Sequence, residues 1–399
     1  MSNSLKLSSH PTCFESSLSN HEAISISISI SISISISIYF DIDLKLPCNT
    51  AKLVAFRINR RIHSMTATAL KTAGNSDSPS PIESLTSLHK ALAEHIRLQI
   101  LRLLKNESFG VLELCRILDI RQSALSHHLK ILATSHLVST RREGNSIFYR
   151  RALLNEDDVH GDIKKTVFEN LDSLEILSAQ LRKIKQIQLE RAQLSLNFFN
   201  KNANKFREKQ GLIVEHADYA NSLHDLINGL ALSEKAAVME VGPGEGHLLA
   251  ELSQRFKNLT ALDNSKDMLA KSRSAITNCG LSSVEFILGD TAVARKIKVN
   301  SDLIIFDMVL HHISSPAKTF KDCASLLNSD GYLLIVELCS HDQDWVRESC
   351  GDLWLGFEEG DLDHWANKAG LEKQQSSYLG LRNGFQIQMR TFKKVISDV

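Results

Sequence analysis

The stretch Val238-Met239-Glu240-Val241-Gly242-Pro243-Gly244-Glu245-Gly246-His247 decides how the second half of this chain folds. An apolar run from Ala236 to Val241 has the length and content of a buried strand. Gly242, Gly244 and Gly246 follow, two apart, and then Leu248, Leu249 and Leu252 recur at helical spacing. Strand, glycine turn and helix make a ligand-binding crossover of a parallel sheet. Glycine lets the backbone bend sharply and lets a ligand approach with no Cβ in the way. The helix that follows offers unpaired N–H groups.

The spacing narrows the ligand. A nicotinamide-binding turn would put its third glycine at 247, where this chain has His247. Glu240 stands at the strand tip, where a carboxylate repels a pyrophosphate but accepts from an ammonium group. S-adenosylmethionine (SAM) carries an ammonium and a sulfonium and no phosphate. The stretch resembles the first motif of class I SAM-dependent methyltransferases, an acidic residue followed by G-x-G-x-G.

Later strands repeat the crossover. Leu259 to Leu262 reads as a second strand ending in Asp263, whose carboxylate can accept from both ribose hydroxyls. Asn264 and Ser265 follow, and Met268 is placed to pack on an adenine. Val284 to Leu288 is a third strand, followed by Gly289-Asp290-Thr291; the resemblance implies that Asp290 accepts from the adenine amino group. Leu303 to Phe306 is a fourth, leaving through Asp307 and Met308. Asn328-Ser329-Asp330-Gly331 turns into a fifth, Tyr332 to Leu338. Gln374 to Tyr378 and Phe385 to Arg390 flank Arg382-Asn383-Gly384, the closing hairpin that class I methyltransferases share. The expected ligand is SAM or S-adenosylhomocysteine (SAH), held by Glu240, Gly242, Gly244, Gly246, Asp263, Asn264, Met268, Asp290, Thr291 and Asp307.

Methyl transfer is an in-line displacement that needs close approach and sometimes a base. His311 and His312 stand where a base could, but paired histidines after a fourth strand read more readily as packing or backbone-bonding residues. Trp345, Trp354, Phe357 and the acidic Glu348, Asp352, Glu358 and Glu359 read as a substrate lid or as a subunit or domain contact. No cysteine pair in this half suits arsenic methylation.

Upstream, the period is helical from Leu85. Leu88, Leu92, Ile96, Ile100, Leu103 and Leu104 form a stripe through two short helices, and Leu112, Leu114, Cys115 and Leu118 continue on a third. After the turn Asp119-Ile120-Arg121 comes Gln122-Ser123-Ala124-Leu125-Ser126-His127-His128-Leu129-Lys130-Ile131-Leu132. Ala124, Leu125, Leu129 and Leu132 are expected to face inward. Gln122, Ser123, Ser126, His127 and Lys130 face out, and such a set suits the major groove and its phosphates. Leu137 to Thr140 and Ile147 to Arg150 read as a hairpin around Glu143-Gly144-Asn145, crowded by Arg141, Arg142, Arg150 and Arg151. Residues 84–151 hold eleven Lys/Arg against five Asp/Glu, while the whole chain is neutral, so a basic lobe joins an acidic body.

This segment resembles the ArsR winged-helix family over nearly its full length. Ala91 to Leu101 is similar to the family's opening helices, and Ser123 to Leu129 to its recognition helix. The resemblance implies a homodimer on an inverted repeat of double-stranded DNA, with Arg141, Arg142 and Arg150 of the wing on the backbone. Metal-sensing members carry Cys-x-Cys before the recognition helix. Here Glu113-Leu114-Cys115-Arg116-Ile117-Leu118-Asp119 has one cysteine, so no metal is expected there, and Cys115 reads as core. His127 and His128 read as DNA-facing or packing residues.

Between the two halves, Val167, Leu171, Leu174, Leu177, Leu181, Ile184 and Ile187 predict one long amphipathic helix, a candidate for dimer contacts. Phe198 to Ala203 resembles the capping helices ahead of methyltransferase domains. The expected fold is α/β: an N-terminal winged helix-turn-helix (84–155), a helical connector and cap (156–235), and a doubly wound, mainly parallel Rossmann-like methyltransferase sheet (236–399).

Residues 1–83 are expected to be low-complexity and disordered. Ile24 to Ile38 is a strict Ile-Ser alternation that reads as a translated simple DNA repeat, so translation is expected to start at Met65; a real disordered extension is the alternative. Residues 1–64 lack the secretory pattern of a basic start and an unbroken apolar core. The chain has no run of about 18 apolar residues. Its seven cysteines show no C-x-x-C, and a reducing cytoplasm is the expected setting. The whole resembles ArsR–methyltransferase fusions of bacteria. That implies a regulator sensing SAM or SAH, with the methionine/SAM cycle as its candidate setting, or else a working small-molecule methyltransferase with an accessory DNA-binding domain.

Overall fold

The structure is a computed structural model, and it describes residues 80–154, 157–202, 211–278 and 284–395. The Ile-Ser repeat, Met65 and Ala203 lie outside the described residues.

The basic half begins with α1 (Pro81–Leu92) and α2 (His95–Leu103), a few residues ahead of the expected start at 84. A two-residue strand, β1 (Phe109–Gly110), leads into α3 (Val111–Leu118). Asp119 closes α3 in the left-handed region (φ 57°), and α4 (Gln122–Thr134) follows at once. Strands β2 (Val138–Glu143) and β3 (Ser146–Arg151) form the wing, with β1 added along β3. Leu88, Ile100, Leu101, Leu114, Leu125, Leu129 and Leu132 close one core. Burying each such side chain stabilises the fold by about 1.5–3 kcal/mol. Two expectations are corrected here. Leu112 is 65% exposed and Ala124 is also exposed, because α3 and α4 turn Leu114, Ile117 and Leu125 inward instead. Cys115 packs against the core as expected.

The connector is not one helix. It is α5 (Gly161–Ser173) and α6 (Ser178–Asn202), broken at Leu174 to Leu177. Arg102 compensates the break: its Nη1 donates to the Glu175 carbonyl at 2.9 Å and its Nη2 to Gln180 Oε1 at 3.2 Å. Apolar spacing continues across the break, so periodicity alone could not show it. Helix α7 (His216–Gly229) then leads into the second half.

That half is built from β4 (Ala237–Val241), α8 (His247–Arg255), β5 (Asn258–Asp263), α9 (Lys266–Asn278), β6 (Val284–Leu288), α10 (Thr291–Lys296) and β7 (Ser301–Asp307). It continues through α11 (Pro316–Leu326), β8 (Leu327–Leu338), α12 (Trp345–Ser349), α13 (Glu359–Lys368), β9 (Leu371–Gly380) and β10 (Gln386–Lys394). Among the described residues these strands form a seven-stranded sheet in the order β6-β5-β4-β7-β8-β10-β9. Strands β6 to β8 are parallel, and β10 is antiparallel to both its neighbours. The strands are near-continuous apolar runs because helices cover both faces. The order reverses between β4 and β7, where an open parallel sheet has its ligand crevice.

Candidate functional site

A pocket of about 1320 Å³ opens at the carboxyl ends of β4 and β7. All ten residues expected to hold a nucleoside line it. Gly242 sits at φ 68°, and a Cβ there would stand 2.4 Å from Val309 Cγ2. Gly246 is the N-cap of α8 at φ 84°, with Ser272 backbone 3.2 Å from where a Cβ would be. The turn therefore requires glycine for space as well as for backbone angle.

Beneath the turn lies an acidic cluster. Glu240 is 2% exposed, and its Oε2 has no hydrogen-bond partner among the described residues. Burial, reinforced by the Asp307 carboxylate, pushes Glu240 well above the usual carboxylate range. Asp307 accepts from the Tyr219 hydroxyl at 2.8 Å and faces His216 Nδ1 at 3.4 Å. His216 Nε2 lies 3.0 Å from Glu251. Burial alone would lower the His216 imidazole, but Asp307 and Glu251 outweigh it and push it up to about 9. The sequence reading missed His216 and Tyr219. They sit three apart on α7, on the side facing the pocket, and an aromatic and a histidine at that spacing ahead of the glycine strand were the available signal.

Asp263 closes β5, and its Oδ1 accepts from the Ser265 N–H at 2.8 Å. Burial raises it to about 6. Met268 is buried beside it. Asp290 caps α10, with Oδ1 accepting from the Val293 N–H at 3.0 Å, so one of its oxygens already serves the fold. The Thr291 hydroxyl donates to Asp322 at 3.2 Å. An orphaned buried carboxyl oxygen and a glycine cradle fit a SAM-type nucleoside.

The histidine pair divides. His312 borders the pocket and meets the Phe199 ring edge-on at 4.7 Å. Burial, with His311 beside it, lowers His312 well below the usual range, leaving a neutral and weakly basic ring. His311 is withdrawn from the pocket wall and 3% exposed. Its Nδ1 lies 2.6 Å from Glu337. Burial opposes its charge, but Glu337 and then Asp352 push it up to about 9. His311 does not line the pocket, so of the two histidines expected as a base only His312 reaches it.

On the basic half, Gln122, Ser123, Ser126, His127 and Lys130 are all exposed on one side of α4. The wing does not match that pattern. Arg150 pairs with Asp361 at 2.5 Å. Arg141 Nη1 donates to the Gly356 carbonyl at 2.8 Å, and its guanidinium lies 5.5 Å from the Trp354 ring and 5.3 Å from that of Phe357. Glu143, 1% exposed, accepts from the Leu355 N–H at 2.7 Å and pairs with Arg141. Arg141 and Arg150 are thus corrected from phosphate contacts to contacts with the other half; Arg142 alone of the three stays exposed. Trp354 and Phe357 form a domain contact here, with Trp354 edge-on to Phe148 at 5.4 Å.

Known proteins match each half of the chain separately. The family described as "Bacterial regulatory protein, arsR family" matches residues 94–140, and that described as "Methyltransferase domain" matches 232–370. The arsenical resistance operon repressor of Staphylococcus aureus is 34% identical over 77 residues, which span 19% of this chain and 74% of the repressor. A polyketide synthase-nonribosomal peptide synthetase of Pyricularia grisea is 28% identical over 136 residues, 31% of this chain. The chain spans only 3% of that synthetase and 4% of its counterpart in Aspergillus clavatus. The SAM-bound magnesium protoporphyrin IX methyltransferase of Synechocystis superposes with a TM-score of 0.43 at 15% identity, covering 51% of this chain and 97% of that one. No helix among the described residues is long and apolar enough to cross a membrane. The chain belongs to the ArsR family of regulators and carries a methyltransferase domain as its second half.

Proposed function

We propose that this chain is a DNA-binding regulator whose methyltransferase domain senses SAM or SAH and adjusts the DNA affinity of the winged helix. One observation carries the reading. Helix α6 lies between the two: Ile184, Gln188, Ser195 and Phe199 border the pocket, while Ile187 enters the winged-helix core. Arg191 on the same helix pairs with Glu113 of α3 at 2.5 Å and donates to the Ser108 carbonyl at 3.0 Å. Arg116 of α3 returns a two-pronged bond to Glu190 at 2.7 and 2.8 Å. A nucleoside that shifts α6 therefore acts on the helix preceding the recognition helix. Regulation requires only that the ligand bind two arrangements of the halves unequally.

In this reading Glu240 meets the ligand's ammonium, Asp263 its ribose and Asp290 its adenine. A homodimer on an inverted repeat, and target genes in the methionine/SAM cycle, belong to the same reading and rest on the family resemblance. Operator selection on random DNA, run without ligand, with SAM and with SAH, tests it. One nucleoside is expected to shift affinity and the other not; equal binding in all three refutes sensing.

Pocket size favours a second reading, a working small-molecule methyltransferase. About 1320 Å³ exceeds the roughly 300–1,000 Å³ of a typical small-molecule site, leaving room for an acceptor beside the nucleoside. Turnover of SAM to SAH with an added acceptor is its test.

A further inference from the structure

His311 and His312 leave β7 on a short 3-10 turn, and Asp352 lies between α12 and α13. All three are buried, at 3%, 8% and 3% exposure. Asp352 Oδ1 stands 3.9 Å from His311 Nε2 and 3.9 Å from His312 Nδ1, and the three ligand atoms lie within 4.8 Å of one another. Among the described residues, neither oxygen of Asp352 has a hydrogen-bond donor. A buried carboxylate left so is destabilising unless something positive meets it.

Glu337 supplies the rest. It holds His311 Nδ1 at 2.6 Å and the His311 backbone N–H at 3.0 Å. A carboxylate on Nδ1 keeps that proton in place, so it is the Nε2 proton that an incoming metal displaces to solvent, and metal-binding histidines are oriented in this way. We propose that His311, His312 and Asp352 hold one divalent transition-metal ion, zinc being the chemistry that fits two imidazoles and a carboxylate.

Zinc with ligands at about 2.0–2.2 Å places them about 3.4 Å apart, so donors 3.9 Å from Asp352 Oδ1 and within 4.8 Å of one another draw in by about half to one and a half ångströms. The 3.3 Å contact of His312 Nδ1 to the Gly351 carbonyl is exchanged for the metal. Glu337 and Asp352 together balance the ion's two charges. The ion ties the exit of β7, at the pocket, to the segment whose Leu355 N–H and Gly356 carbonyl hold the wing. The site is independent of whether the pocket serves sensing or catalysis.

The test uses the full chain, stripped by chelator and titrated with cobalt(II), then with zinc. One cobalt per chain is expected, with the visible ligand-field bands of a low-coordinate site, displaced by zinc. Asp352→Asn should weaken binding at least about a hundredfold and Glu337→Gln about 10–100-fold, whereas His95→Gln leaves it unchanged. Sub-stoichiometric cobalt, or the same spectrum in Asp352→Asn, overturns the proposal. If Asp352→Asn does not fold, zinc-edge absorption of the wild type decides: two imidazoles and a carboxylate support the site, and any other ligand set overturns it.

Discussion

The recognition helix and the wing carry the same kind of residues and meet different fates. On α4, Gln122, Ser123, Ser126, His127 and Lys130 stay exposed. On β2 and β3, Arg141 and Arg150 turn into the methyltransferase half, where Asp361, Gly356, Trp354 and Phe357 receive them. A basic count cannot distinguish the two, because it records charge and not partner. The same arginines that would steady DNA in one arrangement fasten the two halves in this one. Glu143 marks the wing as an internal surface, since a buried acid at a hairpin tip has no use against phosphate.

Four experiments press on this contrast. The largest effect is expected on α4. Ser126→Glu with Lys130→Glu places two carboxylates against DNA and should cost at least about a hundredfold in affinity, read by fluorescence anisotropy, while nucleoside binding holds. Unchanged DNA binding would remove α4 from the interface. Next, Asp263→Ala should weaken SAM or SAH in a calorimetric titration about tenfold, with the fold intact by circular dichroism. Normal affinity would mean that the pocket does not take a nucleoside in this pose.

The wing arginines give the third and sharpest comparison. Arg142→Ala should weaken DNA binding a few-fold and reduce the salt slope by about 1. Arg141→Ala should leave the slope alone and lower Tm, since it loses the Gly356, Trp354 and Phe357 contacts. Equal loss of slope in both would show that the wing leaves its dock when DNA binds. The smallest effect is a pH dependence confined to the pocket. His216 has a folded pKa pushed up to about 9, above the unfolded value of about 6.5. Its pairing with Asp307 and Glu251 is therefore fully stabilising below about pH 6.5 and is lost as pH rises through about 9. The stability difference between wild type and His216→Gln should shrink across that window in denaturant titrations; a difference that grows instead would reject the pairing.

The lining of the pocket was legible because its residues sit at strand ends, where chain order alone sets their position. Ala236 to Val241, Leu259 to Leu262 and Leu303 to Phe306 each announce a strand, and the polar residue that follows must stand at the crevice. The recognition helix was legible for a similar reason, from the inward spacing of Leu125, Leu129 and Leu132. What escaped depended on partners far along the chain. Arg150 meets Asp361 across more than two hundred positions, and Asp352 meets His311 across about forty. The break in the connector escaped because Arg102, on another helix, takes up the carbonyl that the break frees.

Helix α6 has one more consequence. At 25 residues it is a rod about 37 Å long. Arg191, near its midpoint, is clasped by Glu113 and the Ser108 carbonyl and stacked among Phe109, Phe148 and Trp354. The rod is held near its start as well, by Arg102 on Gln180 and Lys183 on Asp119. Leu181, Ile184, Gln188, Ser195 and Phe199 all border the pocket, so the rod forms one long wall of it, and whatever fills the pocket presses on the beam on both sides of the Arg191 clasp.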